Sequence, residues 1–448
     1  MAANDQMLAS LNFSGFGKAQ ELKSRLWFTL IALIVYRLGT YIPLPGINPD
    51  TLRQIFSQHQ GGILGMFDMF SGGALGRMTV FALTIMPYIT ASIVIQLLSS
   101  MIPTLESLKK DGESGRKKLN QYTRYVTVVV AAAQAYGLAV ALEGMGGQAG
   151  LPGGAVLDPG LAFRLTTMMT LVGGTMFLMW LGEQITARGI GNGISLVIYT
   201  GIVAGLPRAM ASFFELGRTG ALSGLFILAF IAFALGVIYI IVFFERAQRR
   251  LVVQYPKRQV GNRVYGGESS YMPLKINVSG VIPPIFASSL LLLPMTVVNF
   301  YGAANGPEWV QWISANLAHG RPVFMGLYGA MIIFFTFFCT ALYFNPAERA
   351  EDLRRYGGFI PGIRPGKSTA DYLDYILTRL SVVGALYLAL VCMIPEFLIA
   401  EFAIPFAFGG TGLLIVVSVT MDTVAQVHAH LLSHQYEGLI KKARLKGR

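Results

Sequence analysis

Residues 221–244 read ALSGLFILAFIAFALGVIYIIVFF, a run without a single charged side chain. At 1.5 Å per residue a helix of this length covers about 36 Å, more than the roughly 30 Å hydrocarbon core of a bilayer. No water is available there to satisfy backbone amides, so the segment must close its hydrogen bonds internally, as a helix. Nine further apolar cores accompany it, at 26–42, 78–102, 125–142, 165–186, 194–212, 276–300, 323–344, 380–395 and 403–425. The mean hydropathy of +0.56 and a charged fraction of only 13% across 448 residues exclude an ordinary soluble domain. The expectation is an all-α, polytopic membrane protein of ten transmembrane helices.

Charge orients it. When the connections are assigned to alternate sides, 28 of the 35 Lys and Arg residues fall on one side. They lie in the N-terminus, the loops 103–124, 187–193, 245–275 and 345–379, and the tail. The other side holds Arg53, Arg77, Arg164, Arg208, Arg218 and Arg321, and Arg37 lies within the first span. This asymmetry predicts cytoplasmic termini. The net charge of +12 therefore reads first as topology, leaving room for an acidic or phosphate-rich partner at particular loops. Residues 1–25 carry no signal-peptide pattern, so the first span is expected to act as its own insertion signal.

Ten spans divide at 214–222 into a first half, 26–213, and a second half, 221–425, followed by a tail, 426–448. An odd number of spans per half places the second half in the opposite orientation, as in inverted-repeat membrane proteins. Residue-level similarity between the halves is not visible, so the pseudo-symmetry rests on counting.

Several stretches depart from plain spans. Residues 61–76 (GGILGMFDMFSGGALG) are apolar, glycine-laden and too short to cross. They read either as an interfacial loop or as a re-entrant segment lining a cavity. The second span carries Thr84, Thr90, Ser92, Gln96, Ser99 and Ser100 around Pro87, and the seventh carries Asn277, Ser279, Ser288 and Ser289 around Pro283-Pro284. Such groups either bond neighbouring helices or border a water-accessible path. Gly189, Gly191 and Gly193 predict a tight turn between the fourth and fifth spans. The loops 245–275 and 345–379 are long and patterned enough to carry function.

Catalytic and metal signatures are absent: no HExxH, no GxSxG and no mid-helix acidic pair. His428, His430 and His434 have no acidic or cysteine companion, and Cys339 and Cys392 read as small apolar side chains. Gly362–Ser368 resembles a phosphate-binding loop but is one residue short between its glycines and follows no predicted strand. No cofactor or metal is expected, and any nucleotide must be hydrolysed by a partner. The near-absence of intramembrane carboxylates argues against an ion-coupled solute transporter, the main rival reading, and an intramembrane enzyme is disfavoured by the same inventory.

The strings Phe70-Ser71-Gly72-Gly73-Ala74, Ile85-Met86-Pro87-Tyr88-Ile89, Gly182-Glu183-Gln184-Ile185-Thr186 with Gly191-Asn192-Gly193-Ile194-Ser195, Gly280-Val281-Ile282-Pro283, Phe344-Asn345-Pro346 and Pro361-Gly362-Ile363-Arg364-Pro365-Gly366 together resemble the SecY family. These are channel subunits of the bacterial Sec translocon. The resemblance runs in order over essentially the whole chain, through Ser433-His434-Gln435-Tyr436-Glu437. It implies a pore between two five-helix halves, closed by an apolar ring at Ile85, Ile89, Ile194, Ile198, Ile285 and Ile415. It implies a plug at about 63–76, with Ile63, Leu64, Met66, Phe67, Met69, Phe70, Gly72 and Gly73, and a lateral gate at Thr90, Gln96, Ser288, Ser289 and Leu293. It also implies motor or ribosome docking through Arg249, Arg250, Lys257, Arg258, Arg263 and Arg364. The implied partners are small SecE-type and SecG-type membrane subunits, the SecA ATPase, the ribosome, SecDF and YidC, signal peptides and nascent chains, and the lipid of a bacterial inner membrane. From the residues alone, the six isoleucines read as ordinary packing or lipid-facing side chains.

Overall fold

The computed structural model describes residues 20–48, 52, 68, 71–148, 156–219, 223–255, 258–260, 263–265, 269–301, 307–316, 321–402 and 410–446. Each of the ten predicted apolar cores coincides with a helix: α1 (Gln20–Gly39), α2 (Met86–Met101), α4 (Glu113–Gln148), α5 (Leu161–Arg188), α6 (Gly193–Arg218), α7 (Gly224–Arg246), α8 (Ile282–Tyr301), α10 (Pro322–Tyr343), α12 (Lys367–Phe402) and α13 (Gly410–Lys446). Three short helices lie between them, α3 (Pro103–Lys110), α9 (Glu308–Asn316) and α11 (Pro346–Arg355). Among the described residues seven helices are long and apolar enough to cross a membrane, or eight if the bent pair α2–α3 forms one span. Outside that measure fall α1, which carries Lys23, Arg25 and Arg37, and α8, whose described apolar part, Ile282–Leu291, is short.

Three expectations need correction. The second span was expected from residue 78, but 71–85 is a chain of turns with positive φ at Met78 and Thr84, and the helix begins at Met86. Pro87 sits in its first turn, where a missing N–H costs nothing, so it starts the helix instead of interrupting it. Pro283 and Pro284 open α8 in the same way. At the other end, Pro103 forces Ile102 into an extended conformation, and α3 turns 105° from α2. The loop 345–379 is largely helical: Asn345 caps α11 by accepting from Ala347 N–H, and α12 begins at Lys367.

The all-α class also gains a small β element. Strand β1 (Gln248–Gln254) pairs antiparallel with β4 (Ser269–Lys275), and inside them β2 (Arg258–Val260) pairs with β3 (Arg263–Tyr265). Alternation was legible in β1, where Leu251 and Val253 are buried between exposed Arg250, Val252 and Gln254. The abundance of basic residues concealed it.

The chain divides into two units, Met1–Pro207 with Val419–Arg448, and Arg208–Ser418. In the first, α4 and α5 run antiparallel and are pinned at both ends. Arg124 forks onto both carboxylate oxygens of Glu183 (2.6 and 3.2 Å), and Arg164 donates twice to Glu143 Oε2 (2.6 and 2.8 Å), whose Oε1 accepts from Gly160 N–H. Forked guanidinium–carboxylate pairs fix orientation as well as distance. Between these helices the turns at 71–85 contribute Leu75, Met78 and Ala82 to a core with Ala135, Ala139, Leu142, Phe163 and Leu171. In the second unit Tyr387 of α12 stacks on Phe244 of α7 at 4.4 Å between ring centroids, and Phe286 of α8 meets Phe335 of α10 edge-on. Buried Asn277 ties α7 to the start of α8, donating to Glu245 (2.7 Å) and to the Gly280 carbonyl (3.1 Å).

Candidate functional site

Ile85 and Ile89 stand at the start of α2, one turn apart, with Ile89 N–H donating to Ile85 O at 3.2 Å. Both are buried within the first unit. Ile194 and Ile198 are likewise one turn apart on α6, and the tight turn before them is held on every side. Ile190 N–H donates to Thr29 Oγ1, Gly191 N–H to Gln426 Oε1 and Gly193 N–H to Thr186 Oγ1, while Asn192 Oδ1 accepts from Ile194 N–H. Gly191 has φ +90°, and a Cβ at Gly193 would lie 1.9 Å from the Gly182 carbonyl. The glycines thus do what their spacing predicted: one turns the chain and another lets two helix backbones approach. In the second unit, Ile285 is half-buried in the first turn of α8, and Ile415 is buried on α13.

Of the expected plug, Ile63, Leu64, Met66, Phe67, Met69 and Phe70 lie outside the described residues, and Gly72 and Gly73 lie within them. These two glycines have φ of +63° and +83°. Ser71 Oγ accepts from Ala74 and Leu75 N–H, and Gly73 N–H donates to Asp68 O. The Gly72 carbonyl receives two guanidinium donors, Arg37 at 2.9 Å and Arg77 at 3.1 Å. Both guanidiniums lie over the Tyr41 ring, 5.1 and 4.3 Å from its centroid. Sequence reasoning missed this cluster. Its signal was Arg37 itself, a charge inside an apolar span, which by default marks function.

The polar residues of the expected lateral gate each make a bond within their own helix, while Gln96 Oε1 is buried without a partner among the described residues. Thr90 Oγ1 donates to Met86 O, Ser288 and Ser289 to Ile285 O, and Gln96 Nε2 to Ser92 Oγ. Each of these bonds lies within its own helix. For Leu293 only the backbone position, in α8, is described.

The two long loops meet in the second unit. Phe359 exchanges both backbone hydrogen bonds with Gln254 at 2.9 Å, extending the end of β1. Leu251, Leu274, Ile360, Leu373 and Ile376 form a core beneath. On this platform Arg364 sits between Gly362 (φ +81°) and Gly366 (φ +105°), and its carbonyl accepts from Thr369 Oγ1. Its side chain is exposed, as are those of Arg249 and Arg250 on β1, and among the described residues none of the three is in an ion pair. Arg258 and Arg263 lie on β2 and β3, and Lys257 lies outside the described residues.

The fold and the site define a multi-pass helical membrane protein with a left-handed Gly72–Gly73 pair between its first two spans and a structured basic platform. The family model SecY matches residues 79–424. A protein translocase subunit SecY from Rickettsia conorii is 56% identical over 426 residues, covering 95% of this chain and 97% of that relative. Among solved structures, one described as a protein-conducting channel superposes with a TM-score of 0.66 at 18% identity, covering 92% of this chain and 93% of that one. Sec61 in a canine ribosome–channel complex from the endoplasmic reticulum superposes at 0.62 and 18%, with the same coverage. The chain belongs to the SecY family.

Proposed function

We propose that this chain is the protein-conducting channel subunit of a bacterial inner-membrane translocon, passing unfolded secretory chains outward and releasing apolar segments sideways into lipid. The observation that carries this reading is the 56% identity to a protein translocase subunit over nearly the full length of both chains. The chemistry of the candidate residues is consistent with it. Isoleucine is stiff at χ1 and offers no hydrogen bond, so a constriction of Ile85, Ile89, Ile194, Ile198, Ile285 and Ile415 dewets, blocks ions and makes no sequence-specific bond to a passing chain. Residues 63–76 are read as the plug, and the borders at Thr90, Gln96, Ser288, Ser289 and Leu293 as the lateral gate.

The platform carrying Arg249, Arg250 and Arg364 is read as the docking surface for a SecA-type ATPase and for the ribosome, whose rRNA phosphates suit exposed arginine. SecE-type and SecG-type subunits are the expected membrane partners, with both termini in the cytoplasm. The test is reconstitution. Proteoliposomes containing this chain and the small subunits that co-purify with it should take up an unfolded presecretory protein only with SecA and ATP. Solute uptake by the chain alone, without protein translocation, would instead identify a transporter.

A further inference from the structure

Three backbone amides of the turn between α5 and α6 are taken by side chains of three different helices. Ile190 N–H donates to Thr29 Oγ1 of α1 at 3.1 Å, Gly191 N–H to Gln426 Oε1 of α13 at 2.8 Å, and Gly193 N–H to Thr186 Oγ1 of α5 at 2.9 Å. Each threonine hydroxyl directs its own hydrogen to a carbonyl of its helix, Thr29 to Arg25 O and Thr186 to Gly182 O, so it offers the turn a lone pair. Beside these contacts the Ile190 side chain is buried with Leu22 of α1, and Leu26, Val427 and Leu431 pack against the two. A Cβ on Gly189 would collide with the Thr29 hydroxyl, so α1 lies directly on the turn. All of these residues, including α13 from Val419 onward, belong to the first unit.

The turn runs straight into α6 with no slack. Gly191 closes it at φ +90°, α6 begins at Gly193, and Asn192 Oδ1 accepts from Ile194 N–H at 3.1 Å. Ile194 is thus the second residue of α6, and Ile198 follows one helical turn later. Where α1 and α13 hold the turn therefore decides where both isoleucines stand. The contact from α13 differs in kind from the one on α1. Ile190 N–H is buried, whereas the bond from Gly191 to Gln426 is exposed and joins residues 235 positions apart. It can be removed without opening a core.

We propose that Thr29 and Gln426 are positioning residues for Ile194 and Ile198: by holding the amides of Ile190 and Gly191, the first helix and the last one together set the start of α6. This rests on the reading of those two isoleucines as part of the apolar constriction. An unpaired buried amide shifts an equilibrium about tenfold or more, and loss of one ordinary hydrogen bond shifts it about two- to tenfold.

The experiment records resting ion conductance in planar bilayers, with the channel purified together with its small membrane subunits. Thr29→Val keeps the side-chain shape and removes the acceptor, and it should raise the open fraction about tenfold. Gln426→Leu should raise it about two- to fivefold, because water competes for the exposed amide. Thr29→Ser and Gln426→Glu keep an acceptor oxygen and should stay as tight as the wild type. Combined with Ile194→Ser and Ile198→Ser, neither Thr29→Val nor Gln426→Leu should add leak, since the two residues act only through those isoleucines. Tight Thr29→Val and Gln426→Leu channels beside a leaking serine pair overturn the positioning role and leave the constriction reading intact. Silence of the serine pair itself overturns both. Undiminished extra leak in the serine background means that Thr29 and Gln426 act by another route and overturns the proposal. Equal leak from Gln426→Leu and Gln426→Glu does the same, because the acceptor oxygen is then irrelevant. Gln426 is exposed, so its variants carry the test if Thr29→Val fails to assemble.

Discussion

Arg364 shows how much a single side chain owes to its backbone. Two left-handed glycines and two prolines hold the turn, Thr369 hydrogen-bonds the Arg364 carbonyl, and the guanidinium is left exposed on a structured platform. A planar, permanently charged fork is suited to carboxylate or phosphate, and glutamate there turns attraction into repulsion. Arg364→Glu should lower SecA-driven translocation at least about tenfold, which corresponds to roughly 1.4 kcal/mol of coupling. Resting ion tightness and subunit assembly should be unchanged, and a normal translocation rate in proteoliposomes would overturn the docking role. The isoleucines make the complementary case, because their value lies in what they lack. Serine at Ile85 with Ile89, or at Ile194 with Ile198, places hydroxyls where a dry wall is expected and should raise resting conductance. Wild-type silence in both double variants would remove the first unit's isoleucines from the ring.

At the scale of elements, glycine has two opposite meanings on the same helix. At Gly193 a methyl group would meet the Gly182 carbonyl at 1.9 Å, a contact between two backbones that neither can relieve by rotating a side chain. Gly193→Ala should destabilise the first unit by about 1–3 kcal/mol, the usual cost of overpacking. At Gly205, further along α6, nothing lies within 4 Å. There Gly→Ala should stabilise by about 0.4–1 kcal/mol by restricting the unfolded chain. Thermal unfolding in detergent separates the two, and equal shifts would show that the close approach of α5 and α6 is not maintained in the protein.

For the whole molecule, the decisive asymmetry is that 28 of 35 basic residues lie on one side of the alternating topology. On that arrangement we propose that the hairpin β1–β4 and the Arg364 turn face the cytoplasm. Cysteines introduced as Ser107→Cys, Ser269→Cys and Ser368→Cys, in a background without Cys339 and Cys392, should react in intact cells only with a membrane-permeant thiol reagent. Labelling of Ser269→Cys by an impermeant reagent from outside would mean that the number of spans before it is wrong.

The sequence by itself determined the ten helices, their expected orientation and the tight glycine turn at 189–193. These follow from interactions that every residue carries with it: the cost of unpaired amides in lipid, the preference of bases for the cytoplasmic side, and the steric freedom of glycine. It did not reveal that residues 78–85 are turns, because their apolar composition reads like a helix and only packing between α4 and α5 forces the positive φ at Met78 and Thr84. Nor did it reveal the β1–β4 hairpin with its Phe359 edge, since Gln254 and Phe359 pair across more than a hundred residues. The cluster on the Gly72 carbonyl was likewise a tertiary decision. Arg37 stood out in the chain as a charge inside an apolar span, but only the folded first unit brings it, Arg77 and the Tyr41 ring together at a single carbonyl oxygen. Local chemistry is readable along the sequence, whereas a contact that needs two separate segments to meet exists only once the core has set their positions.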